Sequence, residues 1–270
     1  MSDTLRSTGS DDAQPVQPFY TPIKRRSFFM YAGATAGATA LVLAGCGKDE
    51  DDNPVNPNTT IDVGPLGPTD IGVLNYAYAL EQLEAAFYAE VLKGGYFTGL
   101  APNSAERRIL SDIALHEQIH ADFFKSALGT NAIRALVPDF SNIDFGVRVG
   151  TGSGKSGVLD AARAFEDLGV QAYNGAGRFI NDRNNLILAG KIVSVEARHA
   201  GLIRDLITPN SFEGDISAGF TPETLKNDVI DPRLTGRTAR QERDKLPAEV
   251  LAIANTFLAA GSKLTANSLV

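Results

Sequence analysis

From residue 70 onward, side chains recur at three- and four-residue steps, the period of one face of an α-helix. Leu74, Tyr78, Glu81, Ala85, Tyr88 and Leu92 form the first such stripe, which Gly94 and Gly95 end. Ser104 is placed to cap a second helix, whose stripe runs Ile109, Ile113, Glu117, His120, Phe124 and Ala127 and stops at Gly129. A third helix begins near Gly157, with Leu159, Ala162, Glu166, Val170, Tyr173, Gly177 and Ile180 on one face. A turn at 181–185 leads to a fourth, with Ile192, Glu196, His199, Ile203 and Leu206, and Pro209 follows its end. Almost no stretch alternates in the two-residue period of a strand.

Connection lengths turn these helices into an architecture. Helices one and two, and helices three and four, are joined by short loops, so each pair is an antiparallel hairpin. Between helices two and three lie about 28 residues, Gly129 to Ser156. A connection that long needs a task, and here it crosses the bundle. The expected fold is all-α: a four-helix bundle over 69–208 with one long crossover between helices two and three. Residues 209–270 follow as an irregular strap, broken by Pro209, Pro222 and Pro232, and a short C-terminal helix from about Pro247 to Ala260 packed on the bundle.

The first 68 residues have a different character. Arg25 and Arg26 precede Ser27-Phe28-Phe29, a weakly apolar run from Tyr31 to Leu43, and Leu43-Ala44-Gly45-Cys46. A basic region, an apolar run and small residues before a boundary make a signal peptide, assigned to 1–45. The run is shorter than the roughly 20 residues that span a bilayer. The paired arginines resemble a twin-arginine export signal, and Leu-Ala-Gly-Cys resembles a bacterial lipobox, which implies a lipid on Cys46. Residues 46–68, acidic and then rich in Pro and Asn, read as a solvated tether. The acidic run behind Cys46 resembles a surface-export signal. The expectation is an exported, membrane-anchored lipoprotein, periplasmic or at the cell surface. Twin-arginine export moves folded protein, so a metal can be loaded before export.

Composition narrows the chemistry. A formal net charge of −7 over 270 residues argues against a nucleic-acid groove. A single cysteine rules out an intrachain disulfide framework. Gly150-Thr151-Gly152-Ser153-Gly154-Lys155-Ser156 looks like a phosphate loop, but Val149 stands where that pattern needs its first glycine, so no nucleotide is expected.

The informative polar residues lie on the helical stripes. Glu81…Tyr88 followed by Glu117…His120 is repeated as Glu166…Tyr173 followed by Glu196…His199. Residues three apart share a helix face, so Glu117 points with His120 and Glu196 with His199. Glu81 and Glu166 from the other two helices complete six ligands for two metal ions, and four carboxylates balance two divalent charges. Without metal, four buried carboxylates repel one another. Oxygen-rich ligation with two imidazoles suits iron or manganese, and zinc can also occupy such sites. Glu84 lies near the Glu81 face and is the alternative ligand. Tyr88 and Tyr173 are core tyrosines whose hydroxyls can bond a ligand carboxylate. His116 is a partly exposed helix residue or a supporting group. His116-Glu117-Gln118-Ile119-His120 is also a literal His-Glu-x-x-His, the zinc metalloprotease signature, in which Glu117 would be the general base and not a bridge.

The two-fold pattern resembles the ferritin-like superfamily of carboxylate-bridged dimetal bundles. More narrowly, Leu74 to Glu81, His116 to His120, Phe165-Glu166-Asp167, Glu196 to His199 and Pro247 to Leu251 resemble the bacterial ferritin-like family related to desiccation-associated proteins. The resemblance implies a dinuclear iron or manganese centre handling dioxygen, peroxide or Fe(II), in an oxidative-stress or desiccation setting. Glu117 and Glu196 would bridge or chelate, His120 and His199 would each bind one metal, and Glu81 and Glu166 would be terminal ligands. The reading is a dimetal oxidoreductase, ferroxidase-, peroxidase- or catalase-like. Its alternative is a non-catalytic ferritin-like scaffold or stress-protection module. Expected partners are the membrane, a small oxidant and a second copy of the chain. No Cys-x-x-Cys electron-transfer module is present.

Overall fold

The helices start where the chain offers good caps. In the computed structural model, which describes residues 59–64, 69–150, 152, 154–209, 211 and 244–266, the Ser104 hydroxyl accepts the Arg107 amide at 3.2 Å and opens a 24-residue helix. Asp182 accepts the amides of Asn184 at 2.7 Å and Asn185 at 3.2 Å and opens a 25-residue one. In chain order the helices are α1 (Ile71–Lys93), α2 (Gly95–Gly99), α3 (Ala105–Leu128), α4 (Val158–Ala176), α5 (Arg183–Ile207) and α6 (Pro247–Ala254). The long helices α1, α3, α4 and α5 make the bundle, with α1 packed mainly on α3 and α4 on α5. The fold is all-α. The expected signal segment, Cys46 and most of the expected tether and strap lie outside the described residues. Among those described, no helix is long and apolar enough to cross a membrane.

Buried surface explains the packing. α1 is covered on almost every side, from Val73 to Val91, because the crossover lies over the face that the other helices leave open. Phe87 sits at the centre, with ring centroids 4.7 Å from Phe165 of α4 and 6.0 Å from Phe140 and Phe145 of the crossover. Polar side chains fix the path of this segment. Buried Asn75 accepts the Ile133 amide at 2.8 Å and donates to the Asn131 carbonyl at 2.9 Å, and Gln82 accepts the Leu136 amide at 3.0 Å. These bonds satisfy backbone groups that no helix serves.

Several boundaries differ from those the pattern predicts. The third helix stops at Ala176, and Gly177–Phe179 form a 3-10 turn, so Ile180 belongs to the connection. The fourth begins at Arg183, inside the expected turn, because Asp182 caps it. Gly94 ends α1, yet the short α2 follows at once. The C-terminal helix stops at Ala254, six residues early, because the Asn255 side chain bonds both the amide and the carbonyl of Leu264.

Short strands also exist. β1 (Ile61–Asp62) pairs parallel with β4 (Leu264–Thr265), and β2 (Ile143–Asp144) with β3 (Ser156–Gly157). Two-residue strands carry no readable alternation. They tie the C-terminal segment to the residues before α1, and the crossover to the start of α4. The glycine-rich stretch closes onto α4: Asp160 accepts the amides of Gly150 at 2.6 Å and Gly157 at 3.3 Å.

Candidate metal centre

Four long helices each bring at least one carboxylate to the bundle axis. Glu81, Glu117, Glu166 and Glu196 are fully buried, His199 is buried, and the His120 side chain is 12 % exposed. Two groups of metal-ligand type result, Glu81-Glu117-His120-Glu196 and Glu117-Glu166-Glu196-His199, each with ligand atoms within 4.8 Å of one another. Glu117 and Glu196 belong to both. All six residues expected as ligands are therefore together.

The oxygens divide between the two groups. His120 Nδ1 lies 3.0 Å from Glu196 Oε1, 3.2 Å from Glu81 Oε2 and 3.4 Å from Glu117 Oε2. His199 Nδ1 lies 2.7 Å from Glu117 Oε1, 3.4 Å from Glu166 Oε2 and 3.6 Å from Glu196 Oε2. Each shared carboxylate thus turns one oxygen to either side. The outer oxygens are occupied crosswise: Tyr88 donates its hydroxyl to Glu166 Oε1, and Tyr173 donates to Glu81 Oε1.

The inner atoms have no such partners. Both oxygens of Glu117 and Glu196, Glu81 Oε2, Glu166 Oε2 and the Nδ1 atoms of His120 and His199 are buried without a hydrogen bond. Their separations are short, but the contacts lack hydrogen-bond geometry. We read this as convergence on common points, the arrangement that a bound cation satisfies and hydrogen bonding does not. The donor set of carboxylate oxygens and imidazole nitrogens is chemically fit for metal ions.

Ionisation reflects the crowding. Burial raises Glu81 to about 8 against the pull of His120, with Glu196 and Glu117 adding to the rise. Burial likewise raises Glu166 to about 8 against His199. Burial also opposes the charge on Glu117, yet the two imidazoles lower it to about 2. His120 and His199 are raised to about 12, because the carboxylates around them outweigh burial. In the metal-free chain the imidazolium protons supply the positive charge that the carboxylates require.

The two halves are not identical. Glu84, one turn beyond Glu81, is 3 % exposed and raised well above its ordinary value, first by burial and then by the neighbouring carboxylates. The equivalent position beyond Glu166 is Gly169, where an added Cβ would stand 3.0 Å from Glu84 Oε1. The missing side chain makes room for the extra carboxylate. The repeat itself carries that signal, since glutamate and glycine occupy matched positions, but only the packed helices join the two. His116 breaks the symmetry again, because Val195 stands at the matching place. Its Nδ1 lies 2.9 Å from His199 Nε2, with the rings nearly parallel. In the neutral imidazole that metal binding would require, a bond donated by His199 Nε2 leaves a lone pair on Nδ1 facing Glu117 and Glu166. His116 joins neither ligand group, so it is not paired with His120 as the protease signature requires.

A ferritin-like domain family model matches residues 69–209, more than half of the chain and all four long helices. A search of curated proteins finds no match. With the bundle, the crossover and the buried carboxylate and histidine cluster in place, the chain belongs to the ferritin-like domain family.

Proposed function

We propose that this is an exported ferritin-like protein whose buried cluster holds two iron or manganese ions and performs redox chemistry on dioxygen, peroxide or Fe(II). The observation that carries the reading is the division of Glu117 and Glu196, each with one oxygen toward either histidine. Two such ions, when bound, supply two-electron redox chemistry. Glu117 and Glu196 would be the carboxylates common to both ions, His120 with Glu81 would hold one, and His199 with Glu166 the other. Tyr88 and Tyr173 hold the outer carboxylates in orientation, and the apolar shell excludes bulk water. Export and lipid attachment at Cys46 rest on the segment from Arg25 to Cys46. A role in oxidative or desiccation stress rests on the family resemblance of the helix segments.

Metal content tests the reading. Mass spectrometry of the purified chain should find about two iron or manganese ions per molecule. The Glu117→Ala/Glu196→Ala variant should lose both while keeping its helical content. Loaded protein should then consume hydrogen peroxide or oxidise Fe(II). A folded wild-type chain that takes up no iron or manganese under any loading condition sinks the proposal. Stoichiometric metal without either turnover would leave a structural metal in a non-catalytic module.

A further inference from the structure

The bundle axis holds a carboxylate that the six-residue centre does not use. Glu84 of α1 is 3 % exposed, and among the described residues its carboxyl has no hydrogen bond or ion pair. It belongs to neither four-residue group. Yet the charges of Glu117, Glu196, Glu81 and Glu166 all act on it, and its own charge acts on Tyr88 and Tyr173. Gly169 of α4 makes the space: an added Cβ there would stand 3.0 Å from Glu84 Oε1 and 3.8 Å from Glu196 Oε2. The carboxyl therefore reaches from α1 across to α4, near a carboxylate common to both groups. Burying such a group unpaired is costly, and an apolar side chain would fill the space without that cost. Added positive charge nearby offsets it.

We propose that Glu84 sets the charge preference of the centre, favouring a pair of ions that includes a trivalent one over two divalent ones. The inference rests on the metal reading and adds a selectivity to it. A count of charges carries it. Glu81, Glu117, Glu166 and Glu196 offset two divalent ions, because both imidazoles are neutral when they bind metal. A fifth buried carboxylate is then one negative charge in excess, and one ion raised from divalent to trivalent balances it. Inside the bundle such an imbalance is weakly screened, so a single charge nearby shifts the preference between ions by roughly tenfold or more. Because Glu84 joins neither ligand group, it acts through its field and not through a bond to the ions.

Redox-inert ions test this apart from any turnover. The full chain, stripped of metal, is dialysed against buffered mixtures of Zn(II) and Ga(III), and the bound ions are counted by mass spectrometry. Glu84→Gln keeps the shape and removes the charge. It should still bind about two ions per chain, with the Ga(III)-to-Zn(II) ratio lowered roughly tenfold or more. In iron-loaded protein the same variant should move the reduction potential of the centre to more positive values, which a purely packing role would not do. Glu84→Leu, also uncharged, repeats both measurements if Glu84→Gln does not fold. Glu84→Gly/Gly169→Glu exchanges the two residues across the bundle and, with a carboxylate still at the axis, should restore the wild-type ratio. An unchanged ratio in the folded uncharged variant overturns the proposal and leaves the metal reading standing. So does a folded exchange variant that keeps the ratio of Glu84→Gln. A wild-type chain that binds neither ion overturns both.

Discussion

At Glu81 and Glu166, burial works against the charge that metal binding needs. Both hold their protons to about 8 in the folded chain but ionise near 4.5 when unfolded, so together they reduce stability as pH rises through that window. His120 and His199, raised to about 12, add stability that is complete below 6.5 and is lost as pH climbs. Glu117 acts oppositely: lowered to about 2, it stabilises above 4.5 and loses that contribution as pH falls. Above neutrality the first four groups dominate, and the metal-free chain weakens. A metal displaces their protons, so its binding strengthens in the same direction. The difference in Tm between metal-loaded and metal-free protein should widen from about pH 6 to about pH 8. A gap that stays constant or narrows in differential scanning calorimetry would contradict this account of the cluster. The six candidate positions were legible because spacing survives in any helix: Glu117–His120 and Glu196–His199 stand three apart, and Glu81 and Glu166 each stand seven before a tyrosine. The Glu84–Gly169 contact was not, because it joins helices 85 positions apart through an absent side chain.

Among the elements, two glycines in long helices separate propensity from packing. Gly190 lies on the exposed side of α5, and an added Cβ there meets nothing within 4 Å. Gly190→Ala should stabilise by about 1 kcal/mol, the helix preference of alanine over glycine. Gly175 lies near the end of α4 under the segment before α6, where Lys245 donates its amide to the Gln171 carbonyl at 3.1 Å. A Cβ at Gly175 would stand 1.8 Å from the Lys245 carbonyl oxygen, a backbone atom that moves only with its segment. Gly175→Ala should therefore destabilise by about 1–3 kcal/mol despite its better helix propensity. Thermal melts of the two variants should move in opposite directions. Asp70 teaches the same lesson about context. It precedes α1, yet its carboxylate accepts the amides of Asn181 at 2.7 Å and Asp182 at 3.0 Å and the Asn185 side chain at 2.7 Å, clamping the opposite hairpin.

For the whole molecule, the proposed lipid anchor rests entirely on residues before the bundle. Lipidation at Cys46 predicts that the chain, expressed in a bacterium that processes lipoproteins, fractionates with membranes and that Cys46→Ser moves it to the soluble fraction. Equal partition of the two would remove the lipid reading and leave the bundle's chemistry untouched.

Helical period, loop length and the repeated Glu-x-x-His spacing are local properties. They determined the four long helices, the crossover and the six residues that meet at the axis, because a helix carries its spacing wherever it packs. Four features needed the tertiary structure: the crosswise Tyr88–Glu166 and Tyr173–Glu81 bonds, the His116–His199 contact, the Asp70 clamp and the space at Gly169 that Glu84 fills. Each depends on the rotation and depth at which separate helices meet. Those are set by the summed packing of Phe87, Phe165, Phe140 and their neighbours, which no local spacing encodes.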